Sequence, residues 1–228
     1  MIDEFRNIEN DLSFFENTKV FTYKKLPFDI MPTSMDIVHK SYPYPETDGV
    51  LYSYFAHYGF STRFLNKDFS NLLSEAGMYA RHAEIFYRPG TGELMDAFIH
   101  VDGHEVIPGL AKINYIIGGQ GNIMRWWKPV GPVTEDNKLI TKAGTQYLAF
   151  EERECELLDE VEMSDGLYVV NAGIPHSVTM NRGDVDTPRI CISIVPKLIE
   201  KDSPTNTGCW DAYNKLVEAS NRLASKNN

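Results

Sequence analysis

Apolar and polar positions alternate with a period of two over much of the middle of the chain. Nine short stretches carry this pattern or a brief continuous apolar run. They are TKVFTY (18–23), GVLYSYF (49–55), AEIFYR (83–88), LAKINYII (110–117), NIMRWW (122–127), TQYLAF (145–150), GLYVVN (166–171), HSVTM (176–180) and RICISIV (189–195). All are rich in β-branched and aromatic residues and are punctuated by turn sequences such as RPGTG, GGQG and KPVGPV. The pattern predicts many short strands, hence a sandwich or double-sheet jelly roll rather than a parallel α/β sheet. GGQG (118–121) joins two strands and not a strand to a helix, so it reads as a hairpin connection rather than a phosphate loop. CELLDEVEM (155–163) also alternates and predicts a strand or edge with a solvated acidic face.

Two segments change to a helical period. In 66–82, Phe69, Leu72, Leu73, Ala76 and Ala80 fall on one face, with Asp68 available as N-terminal cap. In 209–224, Trp210, Tyr213, Leu216, Val217 and Leu223 do the same. Both predict amphipathic helices packed on the outside of a sheet. No repeat, low-complexity tract or linker divides the chain, so one domain across 1–228 is expected, its first dozen residues loosely held.

Composition adds limits rather than direction. The 12 Phe, 12 Tyr and 3 Trp suit a β-rich core. A formal net charge of −10 disfavours the phosphate backbone of nucleic acid as a partner. No run approaches the roughly 18 apolar residues of a membrane span, and the acidic N-terminus lacks the form of a signal peptide. Cys155, Cys191 and Cys209 suggest neither a disulfide framework nor a zinc site. The expected location is the cytoplasm.

The candidate chemistry begins at DAFIHVDGHEV (96–106). His100 and Asp102 are two apart at the end of an alternating run, and in extended backbone such residues project to the same side. HxD alone fits a polar turn as well as half of a metal site. A third element, GLYVVNAGIPH (166–176), runs an apolar strand into a tight turn that aims His176. Two histidines and one carboxylate make the facial triad of non-haem Fe(II) sites, with three coordination positions left open.

A fourth element is PRICISIV (188–195), where Arg189 is the single charge on an apolar strand. An unpartnered buried guanidinium is costly, so Arg189 meets an anion: one of the chain's 32 acids, or a carboxylate ligand held bidentately. Its place 13 residues beyond His176 favours a cosubstrate anchor.

HxD, a distant PH and an Arg on a following strand together resemble the Fe(II)/2-oxoglutarate-dependent oxygenase superfamily. The approach FYRPGTGELMDAFIHVDG is similar to the strand, turn and HxD of its prolyl-hydroxylase-like members. The likeness covers about 83–195. It implies a mainly β fold, the double-stranded β-helix form of the jelly roll (cupin-like), with a few flanking helices. It also implies that His100, Asp102 and His176 hold Fe(II), that 2-oxoglutarate chelates the metal, and that Arg189 binds its far carboxylate. The reaction implied consumes molecular oxygen, releases succinate and CO2, and hydroxylates a C–H bond of a small-molecule or peptide substrate. Many members carry a polar residue two positions after the Arg. Here that place is Cys191, so Ser193 is the candidate for the extra hydrogen bond. Tyr115 and Tyr87 are candidates to assist the anchor, although core packing explains each equally well. Of Tyr115 and Asn114, only one can line the pocket.

Other residues are less directed. His104 is an alternative ligand or substrate contact, or a solvated loop histidine. In MRWW, one Trp is expected in the core, with Arg125 or the other of Trp126 and Trp127 available to the pocket. His39 and His57 show no ligand spacing. Two rival readings stand beside the oxygenase: a cupin-type metalloenzyme that ignores 2-oxoglutarate, and a jelly-roll binding protein without catalysis.

Overall fold

The computed structural model describes residues 14–17, 20–41, 56–60, 62–88, 95–96, 98–103, 105–140, 146–180, 188–199 and 208–226. In chain order the elements are α1 (Phe14–Asn17), β1 (Tyr23–Lys25), α2 (Met35–Ser41), β2 (Ala56–Phe60), α3 (Lys67–Glu75), β3 (Met78–Arg88), β4 (Met95–Asp96), β5 (Ile99–Val101) and β6 (Ala111–Ile117). There follow β7 (Ile123–Pro129), β8 (Lys138–Ile140), β9 (Gln146–Phe150), β10 (Cys155–Glu162), β11 (Gly166–Asn171), β12 (His176–Met180), β13 (Arg189–Leu198) and α4 (Cys209–Lys226).

The strands form a β sandwich of two antiparallel sheets. One has the order β1-β11-β6-β13-β3-β2, the other β10-β7-β12-β5-β9-β8, with β4 paired to β12. Period-two alternation gives the six-stranded sheet two different faces. Ile85, Ile113, Leu167, Val169, Ile190, Ile192 and Ile194 pack beneath Phe69, Leu72 and Leu73 of α3 and Ala212, Leu216 and Ala219 of α4. Each fully buried Leu or Ile there contributes about 1.5–3 kcal/mol. The opposite face brings Ile116, Tyr168, Val170 and Cys191 against Met124 and Trp126 of the second sheet. Trp126 stacks on Tyr23 at 5.2 Å between centroids, and its Nε1 donates to Asn171 O at 3.0 Å. The outer face of the second sheet carries Ile99, Val101, Trp127, Leu148 and Phe150.

Several local expectations are corrected. The helix over 66–82 ends at Glu75, because Gly77 takes a left-handed φ of 70° and its N–H closes on Ser74 O. Ala80 therefore lies in β3. Asn66, not Asp68, is the N-cap residue, and its side chain donates to Met31 O instead of capping, while Asp68 sits in the first turn. On α4 the buried face is Cys209, Ala212, Leu216 and Ala219, and Trp210 is 54% exposed. Small residues let the helix lie close to the sheet, which turns the larger aromatic rings outward. GGQG is not a hairpin. Both edges of β6 are already filled by β11 and β13, so the chain crosses to the other sheet and continues as β7. Of the described part of TKVFTY, residues 20–23, only Tyr23 lies in a strand, whereas GVLYSYF and the first dozen residues lie outside the described residues. CELLDEVEM forms the edge strand β10. Among the described residues no helix is long and apolar enough to cross a membrane.

Candidate metal centre

Alternation along β5 turns Ile99 and Val101 into the outer apolar cluster and His100 to the opposite side. Asp102 follows immediately, and its backbone N–H donates to Ala172 O at 3.2 Å, tying the end of β5 to the turn after β11. That turn is seated closely on the segment before β6. Ile107 N–H donates to Gly173 O at 2.8 Å, and a Cβ on Gly173 would lie 1.9 Å from Ile107 O. Pro175 and His176 come next, and His176 opens β12 directly opposite His100 of β5.

The donor atoms of His100, Asp102 and His176 all lie within 4.8 Å of one another, a group that could hold a metal ion. Asp102 Oδ1 is 3.6 Å from His100 Nε2, and Oδ2 is 3.9 Å from His176 Nε2. Each imidazole is fixed from behind. His100 Nδ1 donates to Phe98 O, and His176 Nδ1 donates to Ile174 O, both at 2.9 Å. These bonds assign the proton to Nδ1 and leave the Nε2 lone pair free toward the carboxylate, the tautomer a metal requires. Tyr147 stands edge-on to His100 at 5.4 Å.

The charges around the site are strongly coupled. Burial by itself would raise the Asp102 carboxyl, but the Lys112 ammonium at 2.8 Å and the two nearby imidazoles hold it well below the usual range. Burial pushes His176 down to about 4, helped by His100 and opposed by Asp102, so this imidazole stays neutral near pH 7. Lys112 Nζ is 2.8 Å from Asp102 Oδ2 and 4.0 Å from Glu84 Oε2. Burial would lower its pKa, but the two carboxylates outweigh it and raise it.

The triad opens into a cavity of about 310 Å3 between the sheets. Arg189, Cys191 and Ser193 of β13 line it, with Asn114 of β6 and an apolar wall that includes Phe86, Met124, Val170 and Val178. Arg189 is 8% exposed, and among the described residues its Nε has no hydrogen-bond partner and no carboxylate pairs with it. Asn114 Oδ1 is likewise buried without a partner.

Not every candidate is brought to this cavity. Tyr115 faces the helix layer, where its hydroxyl bonds to Asp29, and alternation places Asn114 in the cavity instead. Tyr87 belongs to β3, but its side chain lies outside the described residues, as do His104 and the side chains of His39 and His57. Neither Trp126, Trp127 nor Arg125 lines the cavity. Trp126 fills the space between the sheets, Trp127 Nε1 donates to Ser177 Oγ on the outer face, and Arg125 pairs with Glu160 at 3.2 Å. Met124 is the β7 residue that reaches the cavity. Lys112, Glu84 and Tyr147 are cavity residues that the sequence reading passed over. The signal for Lys112 in LAKINYII was the one used for Arg189: a lone charge on an apolar strand.

No family model matches the chain, and no curated protein matches it. Among solved structures, L-ribose isomerase from Cellulomonas parahominis with L-psicose aligns at 12% identity over 71% of this chain and 72% of that one, with a TM-score of 0.27.

Proposed function

We propose that this chain is an Fe(II)- and 2-oxoglutarate-dependent oxygenase that hydroxylates a small-molecule or peptide substrate with release of succinate and CO2. The observation that carries the reading is Arg189: a buried guanidinium without an anionic partner among the described residues, in the same cavity as a His-Asp-His group. Such a cation is costly unless a ligand supplies the anion. A dicarboxylate reaching from the metal to Arg189 would satisfy both ends of the cavity at once.

The strand order supports the jelly-roll form of the fold. β3, β6, β11 and β13 share one sheet while β5, β7, β10 and β12 share the other, and the chain changes sheet at each step of β5-β6-β7 and of β10-β11-β12-β13, as in a double-stranded β-helix. His100, Asp102 and His176 would hold the iron as a facial triad, which keeps open positions for cosubstrate and oxygen. Bound iron and 2-oxoglutarate would supply the oxidative chemistry that side chains lack. The chain's own part is positional. The Nδ1 bonds to Phe98 and Ile174 hold both imidazoles in the ligating tautomer. Arg189 binds the far carboxylate in a bidentate fork, flanked by the Ser193 hydroxyl. Phe86, Met124, Val170 and Val178 give the cavity an apolar wall that would limit the water around a bound cosubstrate.

The test is anaerobic titration with Fe(II) and 2-oxoglutarate, monitored by the visible charge-transfer band of their chelate. The band should appear with the native chain, vanish with His100→Ala, and require far more 2-oxoglutarate with Arg189→Ala. Iron binding without any spectral response to 2-oxoglutarate would replace this reading with a cupin-type metalloenzyme. Absence of iron binding would leave a binding protein without this chemistry.

A further inference from the structure

Taking His100, Asp102 and His176 as metal ligands leaves Lys112 to be explained. Its ammonium is 2.8 Å from a ligand carboxylate, and its side chain is only 13% exposed. A divalent cation on Asp102 and an ammonium on the same carboxylate are like charges in one desolvated cavity, and they repel. The lysine stem is flexible, and a second carboxylate stands within its reach: Glu84 Oε2, at 4.0 Å. Glu84 is itself held on β3, where its Oε1 accepts from His82 Nε2 at 2.8 Å.

We propose that Lys112 is an internal counter-cation, which neutralises Asp102 in the metal-free chain and moves onto Glu84 when a divalent metal takes Asp102. The proposal rests on the metal-ligand reading, but it concerns two residues that are not ligands. It explains why a largely buried lysine and a second carboxylate, Glu84, stand beside the His-Asp-His group in one cavity. It also gives the empty site a neutral, folded state. Lys112 then competes with the metal and sets how tightly the site loads, while Glu84 determines how readily the lysine leaves.

The experiment is calorimetric titration of the full chain with Ni(II), beside Lys112→Met, Glu84→Gln and the double variant, with melting temperatures measured with and without metal. Lys112→Met should bind Ni(II) about tenfold or more tightly than the native chain. Its metal-free melting temperature should fall, because Asp102 is left without its nearest cation. Glu84→Gln should bind Ni(II) more weakly, and the double variant should return to the affinity of Lys112→Met. If Lys112→Met instead weakens binding by about 10–100-fold, the lysine supports Asp102 in its ligating orientation and the proposal is overturned. Should Lys112→Met not fold, an unchanged affinity in Glu84→Gln overturns it equally. A folded native chain that binds no metal removes the underlying reading, and the proposal with it.

Discussion

His176 stands directly opposite His100 in the antiparallel pair of β12 and β5, and their ring centroids lie 4.6 Å apart. Cross-strand neighbours on one face sit about 4.5–5.5 Å apart at Cβ, so sheet register alone brings the two imidazoles together. Asp102, two positions beyond His100, returns to the same side and completes the group. A register slip of one residue would send His176 to the other face.

Asp102→Ala removes one donor and also deprives Lys112 of its nearest anion. Metal affinity should fall by more than about 100-fold. Stability of the metal-free chain should drop by about 2–4 kcal/mol, as for a broken buried ion pair. Metal titration and urea unfolding check the two effects separately, and metal binding retained at native strength would remove Asp102 from the ligand set.

Arg189→Met should do the reverse in the ligand-free chain. The native guanidinium is buried and its Nε has no partner among the described residues, so an apolar side chain of similar length should leave stability unchanged or raise it by about 1–3 kcal/mol. On the proposed function, 2-oxoglutarate at 100 times its Kd should stabilise the metal-loaded native chain by about 2.7 kcal/mol, and the variant should lose that gain. Thermal melts with and without 2-oxoglutarate decide this. Equal stabilisation of both chains would place the anion elsewhere.

The metal-free chain should lose stability in mild acid. His176 has a folded pKa of about 4 against an ordinary value of 6.5, lowered chiefly by burial. Between these values the unfolded state binds more protons, so the contribution present above pH 6.5 is lost as pH falls toward 4. Asp102, also depressed, extends the loss in the same direction at lower pH. Denaturation midpoints across this range should fall less steeply for His176→Asn than for the native chain, and identical slopes would count against a neutral buried His176.

Gly173→Ala should damage both fold and site. The added Cβ would meet Ile107 O at 1.9 Å and Leu110 Cβ at 2.6 Å, so the turn that aims His176 has to shift. A cost of about 2–4 kcal/mol is expected, together with weaker metal binding. Gly131→Ala is the control, since a Cβ there meets nothing within 4 Å, and it should leave both measurements unchanged.

Much of this protein was legible in its residues because the signals were local. Period-two alternation marked most of the strands that build both sheets. HVD placed two donors on one side of an extended segment, and AGIPH marked a turn that aims a third. A lone charge on an apolar strand singled out Arg189, and the same reasoning applied to Lys112 would have found it. Local pattern also set limits. The helical period ran through Gly77 because Ala80 happens to fall in phase, while the left-handed backbone at Gly77 ends the helix.

What only the tertiary structure decided was which elements are neighbours. Whether GGQG is a hairpin or a crossover depends on β6 having both edges occupied by β11 and β13, strands that come later in the chain. Whether Tyr115 or Asn114 meets the cavity depends on which face the helices cover. That Lys112 meets Asp102 depends on two strands of different sheets facing each other. Period and composition act over a few residues, whereas pairing and facing are set by contacts between distant segments, where burial of apolar surface fixes the partner and charge must follow.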